Sequence, residues 1–236
     1  MSPTHHIFES KAPLAHYFAN RLQTICNDKD KVFVAISGGT TPQYIFDVMS
    51  SEYQTSIDWQ KIRLFWVDER CVPPTDADSN YGMTVRHLLS KVAIPDNQIY
   101  RIKGELPNEE ALSQYITEIE KTVPLVDGSP KLDLVVLGMG DDGHTASVFP
   151  HQINLWHSPR ICELANHPTS GQVRVTLTGG VINDAREIIF LVTGAGKAPK
   201  VSEIFTRKPS AQSYPASLVD ETHCTWLLDK EAAQLL

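Results

Sequence analysis

The chain has 236 residues, with 21 Lys plus Arg against 28 Asp plus Glu for a formal charge of −7, and 42% hydrophobic and 21% charged residues. These are the proportions of an ordinary globular protein, and at this length roughly 70% of the unfolded chain's surface is buried on folding, enough for a core without disulfide or metal staples. The acidic balance and the lack of any basic run exclude a generic duplex-DNA binder, whose affinity rests on clustered cations, while a few cations and backbone amides suffice for one small anion.

Cys26, Cys71, Cys162 and Cys224 are widely spaced and form no CxxC pair, a usage that fits a reducing compartment. The N-terminal stretch MSPTHHIFESKAP has no signal-peptide pattern, and no segment approaches the ~18 apolar residues of a membrane helix. The expectation is a cytoplasmic protein with neither nucleic-acid nor membrane partner, forming one domain over residues 1–236.

In chain order, Leu14, Phe18, Leu22 and Ile25 recur at helical spacing, and Val32 to Ile36 is a compact β-type run. Ser37-Gly38-Gly39-Thr40-Thr41-Pro42 follows, predicting a glycine loop and a helix capped by Thr41 with Pro42 in its first position. Ile62 to Val67 predicts a second strand, leading into Asp68-Glu69-Arg70, a Pro/Asp-rich loop, and a helix over Tyr81 to Leu89 capped by Ser79 or Asn80. Asn108 to Val123 is helical by pattern, with Leu112, Ile116 and Ile119 on one face.

Leu132 to Leu137 is the most apolar strand candidate and runs into Gly138-Met139-Gly140-Asp141-Asp142-Gly143-His144, with a short helix expected next. Further strands are expected at Val173 to Leu177, Ile188 to Thr193 and Trp226 to Leu228, with a helix after Lys197. Alternation of strands and amphipathic stretches predicts an α/β fold: one doubly wound, Rossmann-like domain with a mostly parallel sheet flanked by helices.

In such sheets ligands bind beyond the carboxyl ends of the strands, so the polar segments after strands are where chemistry is sought. The Ser37 to Thr41 loop lets the backbone approach an anion at the next helix start, although a tight strand-to-helix turn would use the same residues. It lacks the Lys and spacing of a P-loop. Asp68, Glu69 and Arg70 suit a solvated loop, but their place at a strand end makes Arg70 a candidate phosphate clamp. Lys197, after Gly194-Ala195-Gly196, and Arg174, which opens a strand, are further candidate cations. Trp66, Trp156 and Trp226 sit among apolar residues and are assigned to packing.

Gly138, Gly140 and Gly143 spell G-x-G-x-x-G after a strand, yet Asp141 and Asp142 would repel a pyrophosphate there. The turn is better read as delivering His144 to a helix start, where the dipole favours a neutral imidazole able to take a proton, with Asp142 or Asp141 orienting the ring. No recognised ligand spacing supports a metal site, and no cofactor is expected.

Three segments then carry a family resemblance: Ser37-Gly38-Gly39-Thr40-Thr41-Pro42; Val67-Asp68-Glu69-Arg70-Cys71-Val72-Pro73 with Asp78-Ser79-Asn80-Tyr81; and Leu137-Gly138-Met139-Gly140-Asp141-Asp142-Gly143-His144-Thr145-Ala146-Ser147-Val148-Phe149-Pro150. With Arg174 to Thr178, Gly194 to Lys197 and Trp226 to Asp229, the chain closely resembles the glucosamine-6-phosphate isomerase/6-phosphogluconolactonase family, on its lactonase side. The resemblance implies a glucosamine-6-phosphate isomerase or ribose-5-phosphate isomerase type of fold and cofactor-free hydrolysis of 6-phospho-D-glucono-1,5-lactone in the oxidative pentose phosphate pathway. It places the base on His144 and phosphate contacts on Ser37, Gly38, Gly39, Thr40, Thr41, Arg70 and Lys197. The expected catalytic set is His144, Asp142 and Arg70, with Asp68, Glu69, Gly140 and Arg174 added to the substrate-binding residues.

The related deaminases carry a Glu where this chain has Phe149, and a Tyr where it has Arg70. Those departures favour a lactonase over a deaminase or sugar-phosphate isomerase, and a non-catalytic sugar-phosphate sensor would be expected to bring a DNA-binding segment. The oligomeric state is left open between monomer and homodimer.

Overall fold

Short apolar runs ending at glycines or polar residues become parallel strands, and the amphipathic stretches between them become the helices that cover the sheet. The computed structural model describes residues 3–236. Its elements are β1 (Thr4–Phe8), α1 (Lys11–Asp28), β2 (Val32–Ile36), α2 (Thr40–Glu52), β3 (Ile62–Trp66), β4 (Asp68–Arg70), α3 (Asn80–Thr84), α4 (Asn108–Thr122), β5 (Leu125–Val126), β6 (Ser129–Pro130), β7 (Leu134–Leu137), β8 (Cys162–Asn166), β9 (Val173–Leu177), α5 (Gly179–Asn183), β10 (Ile188–Val192), α6 (Ala198–Phe205) and β11 (Cys224–Asp229). No helix among the described residues is long and apolar enough to cross a membrane.

Six strands form a sheet in the order β1-β11-β10-β7-β2-β3, every neighbouring pair parallel. All residues of β2, β7 and β10 are buried, as expected of strands covered on both faces. Leu14, Phe18, Leu22 and Ile25 of α1 are buried in the same hydrophobic cluster as these strands, each contributing about 1.5–3 kcal/mol by leaving water. Trp66, Trp156 and Trp226 are all buried, matching their assignment to packing.

The chain moves outward from β2 to β3, then returns to place β7 on the other side of β2 and continues to β10 and β11. Strand order therefore reverses between β2 and β7. A crevice opens there at the carboxyl ends, because the connections on its two sides diverge.

A second, antiparallel sheet of β4, β9 and β8 was not foreseen. It places Val173 to Leu177 outside the parallel sheet and sets Arg174 opposite Arg70. Strands β1 and β8 also escaped sequence reading. The former is an exposed edge and the latter, CELAN, has half-buried polar positions, so neither shows a compact apolar run.

Three local expectations are corrected. The cap of α2 is Gly39, at φ 105°, so Thr40 and Thr41 lie inside the helix and Pro42 follows them; only glycine readily adopts that backbone. Helix α3 begins after Ser79, whose side chain accepts from the Gly82 amide, and its continuation over Val85–Leu89 widens into a π-helical turn. No helix starts at His144: the next helical turn begins at Pro150, because Thr145 to Val148 form a tight bridge instead. His144 therefore stands at no helix start, and no helix N-terminus acts on its imidazole.

Candidate active site

The crevice between β2 and β7 holds a cleft of about 250 Å³. Its walls are the loops after β2, β3, β7 and β10, with Arg174 reaching in from β9. Among the expected site residues, Ser37 to Thr41, Asp68, Arg70, Gly140, His144, Arg174 and Lys197 all line it.

One wall is the start of α2. Its first amides have no carbonyl partner within the helix and carry the positive end of the helix dipole. Ser37 is anchored by donating from Oγ to the Val136 carbonyl at 2.8 Å, tying the loop to β7. A Cβ at Gly38 would collide with the Asn80 side-chain amide, so this glycine allows the loop to approach α3. Thr41 Oγ1 lies 2.7 Å from Thr193 Oγ1, closing the wall toward the β10 loop.

The facing wall carries the base candidate. His144 Nδ1 is 2.6 Å from Asp142 Oδ1, and the same oxygen accepts from the His144 amide at 3.1 Å. Burial works to raise the Asp142 carboxyl, but the hydrogen bonds and charge of His144 outweigh it and bring the carboxyl down to about 2. An ionised Asp142 accepts from Nδ1–H, and this pairing places the neutral imidazole's lone pair on Nε2. Asp142 is thus the orienting carboxylate, whereas Asp141 turns away to Lys197, with Nζ to Oδ1 at 2.6 Å.

Glycine is needed twice in this turn. A Cβ at Gly140 would overlap His144 Nδ1 and stand 2.8 Å from Asp142 Oδ1, and Gly143, at φ 86°, packs on the Tyr214 ring. Fully buried Phe149 lies 4.6 Å from the His144 ring, centroid to centroid.

Arg70 and Arg174 supply positive charge. Arg70 donates from Nη1 to the Asp78 carbonyl. Arg174 donates to Ser147 Oγ at 3.4 Å and Gln172 Oε1 at 3.2 Å, and its guanidinium carbon lies 5.6 Å from the Phe149 centroid. Burial lowers the Arg174 pKa from its ordinary value; Asp68 opposes that, and Arg70 adds to it. Among the described residues, the Nε of each arginine is buried with no hydrogen-bond partner.

Glu69 does not belong to the cleft, a correction to its assignment as a substrate-binding residue. Its carboxylate accepts from the amides of Arg70 and Asn80, both at 2.8 Å, and of Tyr81 at 2.7 Å, and from Ser79 Oγ at 3.1 Å. It holds the start of α3 in place. Burial pushes its carboxyl up, while the three amides pull it back.

Asn80, a candidate cap by sequence, also lines the cleft, and Ser147 stands behind Asp68. Asn80 donates from Nδ2 to the Asp68 carbonyl at 2.9 Å. Ser147 donates to Asp68 Oδ2 at 2.6 Å. Ser147 is fully buried, and its proton goes to Asp68 rather than to a histidine, so it is not arranged as a nucleophile. No helix follows the glycine turn, removing the amide cradle that a dinucleotide pyrophosphate needs.

Residues 9–228 match the family of glucosamine-6-phosphate isomerases/6-phosphogluconolactonase. The chain belongs to this family. It is 42% identical to 6-phosphogluconolactonase of Treponema pallidum, with 84% of this chain and 83% of that protein covered. Identity to 6-phosphogluconolactonase of Haemophilus influenzae is 38%, over 87% of this chain and 88% of the relative. Among solved structures, a protein named devB superposes with a TM-score of 0.93 at 36% identity, covering 98% of each chain. The 6-phosphogluconolactonase of Thermotoga maritima superposes at 0.84 with 27% identity, covering 96% of this chain and 99% of the other. Family membership accounts for the α/β architecture.

Proposed function

We propose that this chain is a 6-phosphogluconolactonase: it hydrolyses 6-phospho-D-glucono-1,5-lactone to 6-phosphogluconate, the second step of the oxidative pentose phosphate pathway. Residues 1–236 act as one cytoplasmic catalytic domain that takes a sugar phosphate and needs no cofactor. The relatives' names support the reaction, and one observation carries the site: His144, bonded through Nδ1 to Asp142, lines a cleft shared with Arg70, Arg174 and Lys197.

The phosphate sits against the first turn of α2, with Lys197, Arg70 and Arg174 supplying cations in a chain whose net charge is −7. Fixing this remote group places the lactone carbonyl near His144 and uses phosphate binding to position the reacting ester. Nε2 takes a proton from water as the water oxygen bonds to the carbonyl carbon, giving a tetrahedral oxyanion. Collapse breaks the bond to the ring oxygen, which takes the proton back from Nε2. The new carboxylic acid then ionises and releases one proton to solvent. Asp142 stays ionised throughout and stabilises the transient imidazolium. No covalent intermediate forms.

The test is proton release from freshly generated lactone at constant pH, with spontaneous hydrolysis subtracted. Catalysed release with the phosphorylated lactone and little with unphosphorylated gluconolactone is expected. Equal catalytic efficiency on the two lactones would remove the phosphate assignment.

A further inference from the structure

Of the three cleft cations, only Lys197 makes an ion pair among the described residues. Its Nζ lies 2.6 Å from Asp141 Oδ1, joining the loop after β10 to the loop after β7, two neighbouring strands. Asp141 and Asp142 are adjacent but have separate partners, Asp142 holding the imidazole and Asp141 reaching the ammonium. The two ends of the Lys197 pair differ in burial: the lysine side chain is 25% exposed and that of Asp141 is 82% exposed. Asp141 makes no second hydrogen bond among the described residues.

An ion pair with one end in water contributes little stability and is screened by salt. It does, however, limit the rotamers of a long, flexible lysine and keep its charge in the cleft. A phosphate dianion offers more charge and more acceptor oxygens than one carboxylate, so it competes successfully for the same ammonium.

We infer that Asp141 is a displaceable counter-ion for Lys197, holding the ammonium in the cleft and surrendering it to the substrate phosphate. This inference rests on the phosphate lying beside Lys197 as proposed above. Asp141 then sets how tightly phosphorylated ligands are held, and so how readily product leaves, without acting on an unphosphorylated sugar. Its action needs Lys197, which separates it from a negative charge that merely repels anions.

The experiment is calorimetric titration of 6-phosphogluconate into wild type, Asp141→Asn, Lys197→Gln and the double variant. Asp141→Asn is expected to lower Kd about threefold at low salt, with the gain fading at high ionic strength. In the Lys197→Gln background the same change is expected to do nothing. Equal tightening in both backgrounds would show general charge repulsion and overturn the inference. An unchanged or weakened Asp141→Asn, with Lys197→Gln still weak, overturns the inference alone. Equal affinity of wild type and Lys197→Gln overturns both it and the phosphate placement beneath it.

Discussion

Arg70 and Arg174 stand directly opposite each other across the antiparallel pairing of β4 with β9, and each has a buried Nε without a partner. Like charges in that relation repel, and an unmade buried hydrogen bond costs about 1–3 kcal/mol. The fold carries this cost, and negative charge in the cleft offsets the repulsion between the two guanidinium groups. Ligand at 100 times Kd adds about 2.7 kcal/mol of stability, so saturating 6-phosphogluconate is expected to raise Tm by roughly 5–10 °C. Arg70→Gln is expected to leave the ligand-free Tm unchanged or higher, while KM rises by the equivalent of about 1.5–3 kcal/mol. Thermal melts and lactone hydrolysis check both. A destabilised variant with a wild-type KM would make Arg70 structural.

Gly140 tests the His144–Asp142 pair without touching either residue. Because a Cβ there overlaps His144 Nδ1 and crowds Asp142 Oδ1, Gly140→Ala must separate the pair. Displacing a base by about 1 Å can cost 10²-fold in rate. The expected result is a kcat lower by about that factor, with KM and affinity for 6-phosphogluconate close to wild type. A variant with unchanged kcat would mean that the pairing has no part in catalysis.

Asp142 also gives a signed pH dependence. Its folded carboxyl titrates near 2, below the ordinary 3.8, so its contribution to stability is complete above about pH 4 and is lost as pH falls through 2. The stability difference between wild type and Asp142→Asn is expected to shrink between pH 4 and pH 2 in chemical denaturation. A difference that grew on acidification would show that Asp142 is protonated in the native protein.

Sequence reading reached the cleft because its chemistry follows runs that can only be buried strands. Val32 to Ile36 and Leu132 to Leu137 have no polar residue on which to expose a face, apart from Asp133, so the loops after them were locatable before the fold was known. Two features depended on contacts between distant segments. Pairing of β4 with β9 joins residues about a hundred positions apart, and the two arginines give no local sign that they are neighbours. The role of Glu69 was hidden for the same reason: next to Asp68 and Arg70 it resembles a site residue, but its acceptors are filled by backbone amides at the start of α3. No helix follows His144 directly because the Gly140-Asp141-Asp142-Gly143 turn folds back on itself, with Gly140 donating to the His144 carbonyl at 2.9 Å.

Removal of the proton from water by His144 is tested most directly by the His144→Ala variant. With folding confirmed by circular dichroism and binding of 6-phosphogluconate retained, kcat is expected to fall by about 10²–10⁴ with little change in KM. The wild-type rate should rise with pH through a step that is absent from the variant. Near-wild-type turnover by folded His144→Ala protein, with the same pH profile, would contradict the account.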